Sequence, residues 1–280
     1  MRVLVTGSRG VVGSQVVSDL TSLDYEVVEY DLAQGQDILD PNSLFHSAKE
    51  CNAIIHSAAL LGLPEQSDTD IMAVNLQGTW NVLSVAKKLS IPRVVFLSSV
   101  DALGVFKGER SPDYLPLDDS HPCYAATPYA ISKYLAEVMC RQFSASADVS
   151  VVCLRPPGVW TEETYSWIQS ERAKHAQFEW HPFWEYGAFI DVRDLSQACI
   201  CALTCDVDRF TCLLVSSADI TTSGRTSRQL VEFVLPDVEW RGGINYETAP
   251  FRSLLDIENA KSSLGWTPKH SWQSYVARCG

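Results

Sequence analysis

Tyr129 and Lys133 stand four residues apart in the stretch PYAISKYLAE, residues 128–137. On a helix, positions i and i+4 share a face one turn apart. A free phenol titrates near pH 10, too high for a base at neutral pH. An ammonium group one turn away favours the phenolate and lowers that value. Tyrosine then becomes a usable general acid or base toward a hydroxyl or carbonyl. The spacing Y-x-x-x-K also arises by chance on helix surfaces, so the surrounding sequence must decide.

The second chemical signal lies at the start of the chain. Gly7, Gly10 and Gly13 in VTGSRGVVGSQV follow the spacing G-x-x-G-x-x-G. They sit between an apparent strand and a helix whose inner face is Val12, Val16, Val17 and Leu20. Glycines there let the backbone turn tightly and approach a pyrophosphate held at the helix N-terminus. The plain alternative is a tight strand–helix turn with no ligand. The second apparent strand ends VVEYD. Its Asp31 falls near the offset of about 20 residues at which an acidic residue bonds an adenosine ribose hydroxyl. A carboxylate there repels a 2′-phosphate, so NAD is expected over NADP. Arg9, inside the loop, works against that preference, and a solvated strand end is the plain reading of Asp31.

The elements that must position these residues follow from the hydrophobic pattern. RVLVTG (2–7), YEVVEYD (25–31), NAIIHSAA (52–59), RVVFLSS (93–99) and VSVVCLRPP (149–157) are continuous Val, Ile and Leu runs. Strands covered on both faces of a parallel sheet read this way. Helices are expected between them, over 11–23, 41–50, 68–89 and 126–147. The alternation predicts an α/β, doubly wound parallel sheet. A helix over 191–204, a strand over 212–217 and a helix over 223–234 are expected to follow. The predicted division is a Rossmann-type domain over 1–157, completed by about 188–220, with 158–187 and 221–280 forming a small C-terminal substrate lobe.

Composition sets outer limits. The 280 residues are 46% hydrophobic and 20% charged, with a formal net charge of −12. Such a charge argues against non-specific nucleic-acid binding, which needs basic patches. No apolar run nears the roughly 18 residues that would span a bilayer. MRVLVTG reads as strand and turn rather than a signal peptide, so a cytoplasmic protein is expected. The nine cysteines include no C-x-x-C pair, which disfavours a disulfide framework. Cys199, Cys201, Cys205 and Cys212 cluster, yet no histidine lies nearby. Buried free thiols are expected there, with no metal.

TGSRGVVG, DIMAVNLQGTWNVLSVAKKLSIPRVVFLSS, TPYAISKYLAE, FIDVRDLSQA and IENAKSSLGWTP together resemble the extended short-chain dehydrogenase/reductase family, also called the NAD-dependent epimerase/dehydratase family. The matching blocks keep family order from residue 1 to about 275. The resemblance implies a Rossmann-type sheet with NAD across its carboxyl edge. It implies a catalytic set of Ser99, Tyr129 and Lys133, with Ser98 the fallback for Ser99. Lys133 would also bind the nicotinamide ribose. The implied cofactor contacts are Gly7, Arg9, Gly10, Val11, Gly13, Asp31, Asp37, Ile38, Ala58, Ala59, Leu60, Asn75, Ser98, Tyr129, Lys133 and Pro156. Asp37 and Ile38 align with adenine contacts, and Asn75 with a cofactor-side asparagine. A homodimer through the Tyr129–Lys133 helix is common in the family.

Three chemistries compete within that resemblance. Dehydratase members carry an acidic pair after the catalytic threonine; Ser99-Val100-Asp101 keeps only its second acid. Nucleotide-sugar epimerases commonly place an arginine where this chain has Gly187. The expectation is therefore an oxidoreductase acting on the secondary alcohol or ketone of a small polar substrate, such as a sugar or sugar acid. A nucleotide-sugar epimerase with tightly bound NAD is the alternative, and a non-catalytic dinucleotide sensor a more distant one. The aromatic-rich stretch 158–190 fits a substrate pocket or a packed core. Arg172 and Lys174 are candidate contacts for an acidic substrate, with solvated surface the plainer reading. The segment 104–122 is expected to act over the substrate mouth. His56 is expected to be a packed residue rather than a base.

Overall fold

The computed structural model describes residues 1–107, 110–174, 185–222 and 224–279. The first half runs β1 (Arg2–Thr6), α1 (Val11–Ser22), β2 (Glu26–Tyr30), α2 (Pro41–Ser47), β3 (Ala53–His56), α3 (Asp68–Met72), α4 (Gly78–Lys88) and β4 (Arg93–Leu97). The remainder is β5 (Tyr114–Leu115), α5 (Pro128–Ser146), β6 (Ser150–Arg155), β7 (Val159–Trp160), α6 (Glu162–Lys174), β8 (Ile190–Asp191), α7 (Val192–Thr204), β9 (Phe210–Leu214), α8 (Ser227–Val234), β10 (Glu239–Trp240), α9 (Asn245–Thr248), α10 (Glu258–Leu264) and α11 (Trp272–Cys279).

Six strands form one parallel sheet in the order β2-β1-β3-β4-β6-β9. Successive strand residues point to opposite faces. Val3, Val5, Ala53, Ile55, Val95, Leu97, Val152 and Leu154 bury into a core shared with α1, α7 and α10. Leu4, Ile54, Val94, Phe96, Val151 and Cys153 bury into the opposite core, shared with α2, α4 and α5. The continuous apolar runs of the sequence thus have a physical cause: both faces are covered, and neither can be polar.

The segment expected as one helix over 68–89 is continuous but irregular. A π turn over Ala73–Gln77 joins α3 to α4. Asn75 sits in that turn, buried. Its Oδ1 accepts from the Leu60 amide at 2.8 Å, and its Nδ2 donates to the Leu60 carbonyl and to Ser132 Oγ, both at 2.9 Å. The wide turn brings this side chain to the loop after β3. Helix α5 begins at Pro128, with the Thr127 side chain accepting from the Ala130 amide as N-cap. On this helix Leu135 and Val138 remain exposed, as does Trp80 on neighbouring α4.

Away from the main sheet, β5 pairs with β10, and Val105, Phe106, Leu115, Leu117, Tyr186, Leu230 and Val231 bury together. Segment 104–122 is therefore anchored in the core through Val105, Phe106, Leu115 and Leu117. The Leu117 amide donates to the Leu254 carbonyl at 2.8 Å, and the Leu214 amide to Asp119 Oδ1 at 2.6 Å. The Pro- and Asp-rich composition concealed the apolar residues that pin it. Of the expected mouth loop, Lys107 reaches the site described below. The described aromatics of 158–190 are also mostly structural. Trp160, Tyr165 and Phe189 form a buried cluster with Trp272 and Tyr275. Trp167 is exposed. Phe178, Trp180, Phe183 and Trp184 lie outside the described residues, as does the Arg172 side chain; Lys174 pairs with Glu171 at 3.0 Å. Residues 257–266 pack on the α7 side of the main sheet through Ile257, Ala260, Leu264 and Trp266. The eight described cysteines are free, and Cys205 hydrogen-bonds Arg93. Among the described residues, no group of three His, Cys, Asp or Glu can hold a metal ion, and no helix is long and apolar enough to cross a membrane.

His56 is buried in the sheet, bonded through Nδ1 to Thr6 Oγ1 at 2.7 Å and through Nε2 to Thr79 Oγ1 at 3.1 Å. Burial, and then the Lys133 charge, lower its pKa to about 3. Between that value and the 6.5 of the unfolded chain, the unfolded state binds the extra proton, so stability rises with pH. Part of the stability of the folded protein should therefore be lost as pH falls from 6.5 toward 3. In His56→Gln, the pH dependence of the chemical-denaturation midpoint across pH 5 to 6.5 should flatten; an unchanged slope would rule out this role for His56.

Candidate active site

The carboxyl ends of β1, β3, β4 and β6 open into a cleft of about 440 Å³. The glycine loop forms one wall. Gly7 has φ +69°, and a Cβ there would lie 2.7 Å from the Ala58 amide nitrogen. A Cβ on Gly13 would stand 2.0 Å from the Gly7 carbonyl oxygen. Backbone therefore packs on backbone, and only glycine fits at Gly13. Gly7, Gly10, Val11, Gly13, Ala59, Ser98, Ser99, Tyr129, Lys133 and Pro156, all expected from the sequence, line this one cleft.

Asp31, at the end of β2, accepts from the Arg9 amide at 2.9 Å and the Ala33 amide at 2.8 Å. Its carboxylate is thereby fixed beside the glycine loop, while the Arg9 guanidinium pairs with Glu29 at 3.1 Å. Ser8 Oγ, in the loop, is buried with no protein partner among the described residues. A tight glycine cradle, an orphaned hydroxyl within it and an anchored carboxylate nearby fit a dinucleotide. Asp37 and Ile38 are placed differently from the cleft residues. Asp37 Oδ1 accepts from the Leu39 amide, and Ile38 packs under Gly78 with its carbonyl accepting from Asn81. Ala58 abuts Gly7, and Leu60 is held by Asn75. Asn75 thus spends its amide on the protein, as a positioning group for the loop after β3.

On α5, Lys133 is buried and its Nζ donates to the Leu97 carbonyl at 2.7 Å. Burial lowers its pKa to about 8, and Glu137 one turn further resists the fall. The ammonium remains mostly charged at neutral pH, 5.8 Å from the centroid of the Tyr129 ring. Tyr129 keeps part of its surface open to the cleft. The expectation that Lys133 lowers the phenol pKa is corrected by the structure. Burial pushes the phenol up, Asp101 pushes it further, the hydrogen-bonding contact with Ser99 pulls it down, and Glu185 adds to the rise. Burial is the largest of these causes, and the Asp101 charge adds to it.

Ser99 and Ser98 are separated by their partners. Ser99 bonds the Asp101 amide through its Oγ at 3.1 Å and also meets Tyr129. Ser98 Oγ donates to Glu137 Oε1 at 2.5 Å, and Glu137 is held by Arg155 Nε at 2.9 Å and Nη2 at 2.7 Å. Ser98 therefore belongs to a buried charge network, and Ser99 is the hydroxyl that faces the phenol. Glu185 and Lys107 went unnoticed in the sequence. Glu185 lines the cleft, and Lys107 Nζ pairs with Asp101 Oδ2 at 3.0 Å. Neither lies in a motif, and only the folded chain brings them to Tyr129.

The family model described as "NAD dependent epimerase/dehydratase family" matches residues 3–209. A putative UDP-glucose 4-epimerase from Methanocaldococcus jannaschii is 26% identical, over 99% of this chain and 96% of its own. The UDP-glucose 4-epimerase of Mus musculus is 33% identical over 50% of this chain and 48% of its own. Among solved structures, the UDP-glucose 4-epimerase of Thermotoga maritima with UDP-glucose superposes with a TM-score of 0.71 at 20% identity, covering 100% of this chain and 99% of that one. The Thermus thermophilus enzyme in complex with NAD gives 0.67 at 24% identity, over 98% and 96%. The family-model match spans the glycine loop, the Tyr–Lys helix and most of the parallel sheet, and the chain belongs to the NAD-dependent epimerase/dehydratase family.

Proposed function

We propose that the protein binds NAD in this cleft and epimerises a sugar nucleotide at a hydroxyl-bearing carbon. The observation that carries the reading is the sharing of one cleft by the glycine loop, Ser99, Tyr129 and Lys133. The likeness to a putative UDP-glucose 4-epimerase along nearly the whole chain supports epimerisation over the net oxidation expected from the sequence.

NAD, when bound, supplies a hydride acceptor for the substrate carbon. The chain's own residues manage the proton and the position. Ser99 holds the substrate oxygen against the phenol. Tyr129 takes the hydroxyl proton and later returns it. To take that proton Tyr129 must first be a phenolate, its own proton lost to solvent; burial and Asp101 oppose this, and the charge of Lys133, which the Leu97 carbonyl holds in place, favours it. Inversion requires the hydride to come back to the opposite face of the ketone, while the proton goes back to its oxygen, so one phenol serves both half-steps.

A second reading, net oxidation or reduction of a smaller sugar, draws on Gly187. The position commonly occupied by a phosphate-binding arginine is a glycine at φ +77°, where a Cβ would stand 3.2 Å from Ile220 Cβ. A diphosphate must find its cation elsewhere.

Incubation with UDP-glucose should yield UDP-galactose, resolved by chromatography, without accumulation of NADH. NADH formed in step with substrate, and no epimer, would overturn epimerisation in favour of the second reading. Tyr129→Phe should lower turnover by about 10²–10⁴-fold while NAD still binds; near-normal turnover would remove the tyrosine from the chemistry. Gly13→Ala, which drives a Cβ into the Gly7 backbone, should weaken NAD binding at least about tenfold, or 1.4 kcal/mol. Fluorescence titration measures this on material whose melting curve shows it folded; unchanged affinity would place the cofactor elsewhere.

A further inference from the structure

Asp101 and Glu185 reach the cleft from unrelated parts of the chain. Asp101 lies in the short turn after Ser99, its amide bonded to the Ser99 hydroxyl. Glu185 opens a turn in which three consecutive residues are left-handed: Glu185 at φ +47°, Tyr186 at +55° and Gly187 at +77°. For a residue other than glycine this conformation costs about 1–2 kcal/mol. Packing imposes it. Tyr186 is buried against Phe106 with its hydroxyl on the Val105 carbonyl, and the Gly187 carbonyl accepts from the Thr221 amide at 2.9 Å. Such strain persists where surrounding structure over-determines it, often at functional sites. Here it sets the Glu185 carboxyl into the cleft, where Oε2 accepts from the Gly158 amide at 2.5 Å. Among the described residues that bond leaves Oε1 for a ligand.

We propose that Asp101 and Glu185 clamp the hydroxyl groups beside the carbon on which Tyr129 acts, so that the reacting end of the cleft takes a neutral sugar ring and turns away a uronate. This inference rests on the reading that the substrate is a sugar, whether or not it carries a nucleotide. Among the described residues, the groups facing Glu185 are Asp101, Lys107, Tyr129 and the Gly158 amide. Burial and the Asp101 charge raise its pKa to about 8. At neutral pH, Glu185 is therefore mostly a carboxylic acid and a donor, beside the Asp101 acceptor. A sugar hydroxyl is both acceptor and donor, and answers both. A uronate carboxylate would instead stand beside Asp101. Lys107 is already paired with Asp101, and Lys133, the cation among the described residues lining the cleft, is spent on the Leu97 carbonyl.

Calorimetry on the NAD-loaded protein tests this with UDP, UDP-glucose and UDP-glucuronate. UDP-glucose should bind at least about tenfold more tightly than UDP-glucuronate, as like-charge juxtaposition demands. In the D101N/E185Q double variant the ratio should shrink below about threefold, with UDP alone unchanged. Equal affinities in the unmodified protein, or a ratio that survives both substitutions, would overturn the clamp. The affinity for UDP-glucose should also fall above pH 8 and stay level in E185Q; a fall persisting in E185Q counts against Glu185. Failure of UDP itself to bind would defeat the nucleotide-sugar reading instead. NADH formation from free glucose and free glucuronate then decides: glucose preferred sustains the clamp, while glucuronate used as well as glucose, or neither used, overturns it.

Discussion

A buried ammonium group governs how this molecule is assembled. An unpaired charge in a protein interior costs several kcal/mol, so Lys133 must find a partner wherever α5 comes to rest. It finds the last carbonyl of β4. One turn on, Glu137 meets Arg155 from β6 and Ser98 from the end of β4. These contacts fix both the rotation of α5 and its height above the sheet. Tyr129 then has no freedom of its own; its ring lies at the cleft because the lysine and glutamate below it are already satisfied.

The electrostatics of the cleft are layered as a result. A cation lies beneath the phenol, and two acidic groups lie across from it. The cation is rigid, held by backbone. Of the acids, Asp101 is tied by charge to Lys107, while Glu185 is bonded to a backbone amide. Such an arrangement keeps the tyrosine protonated at rest and makes its activation depend on what enters the cleft.

Much of this was legible in the sequence. The β1 and β4 runs, with Val3, Leu4, Val5 and Val94, Val95, Phe96, announced a sheet covered on both faces, and the glycine spacing located the cradle. Tyr129 and Lys133 were visible because a helix keeps its periodicity whatever surrounds it. The direction of the phenol shift was not legible, since it depends first on how deeply the folded chain buries Tyr129 and then on the Asp101 charge beside it. The role of 104–122 was hidden for a related reason. Val105, Phe106, Leu115 and Leu117 are scattered among prolines and acids, and their common burial emerges only when Leu254 and Leu214 close over them. The aromatics Trp160 and Tyr165 found their partners in Trp272 and Tyr275 at the far end of the chain, a pairing that no local pattern encodes.

The π turn over Ala73–Gln77 makes the register of α4 depend on a single residue. Such a turn holds one residue more than an α-helical turn can, in the manner of a single-codon insertion within a regular helix. Deleting that residue would restore regular pairing, yet it would swing everything after it by about 100°. Thr79 would leave His56, Asn81 would leave the Ile38 carbonyl, and the loop after β3 would lose the amide that fastens it. Those three attachments hold only while the extra residue stays in place.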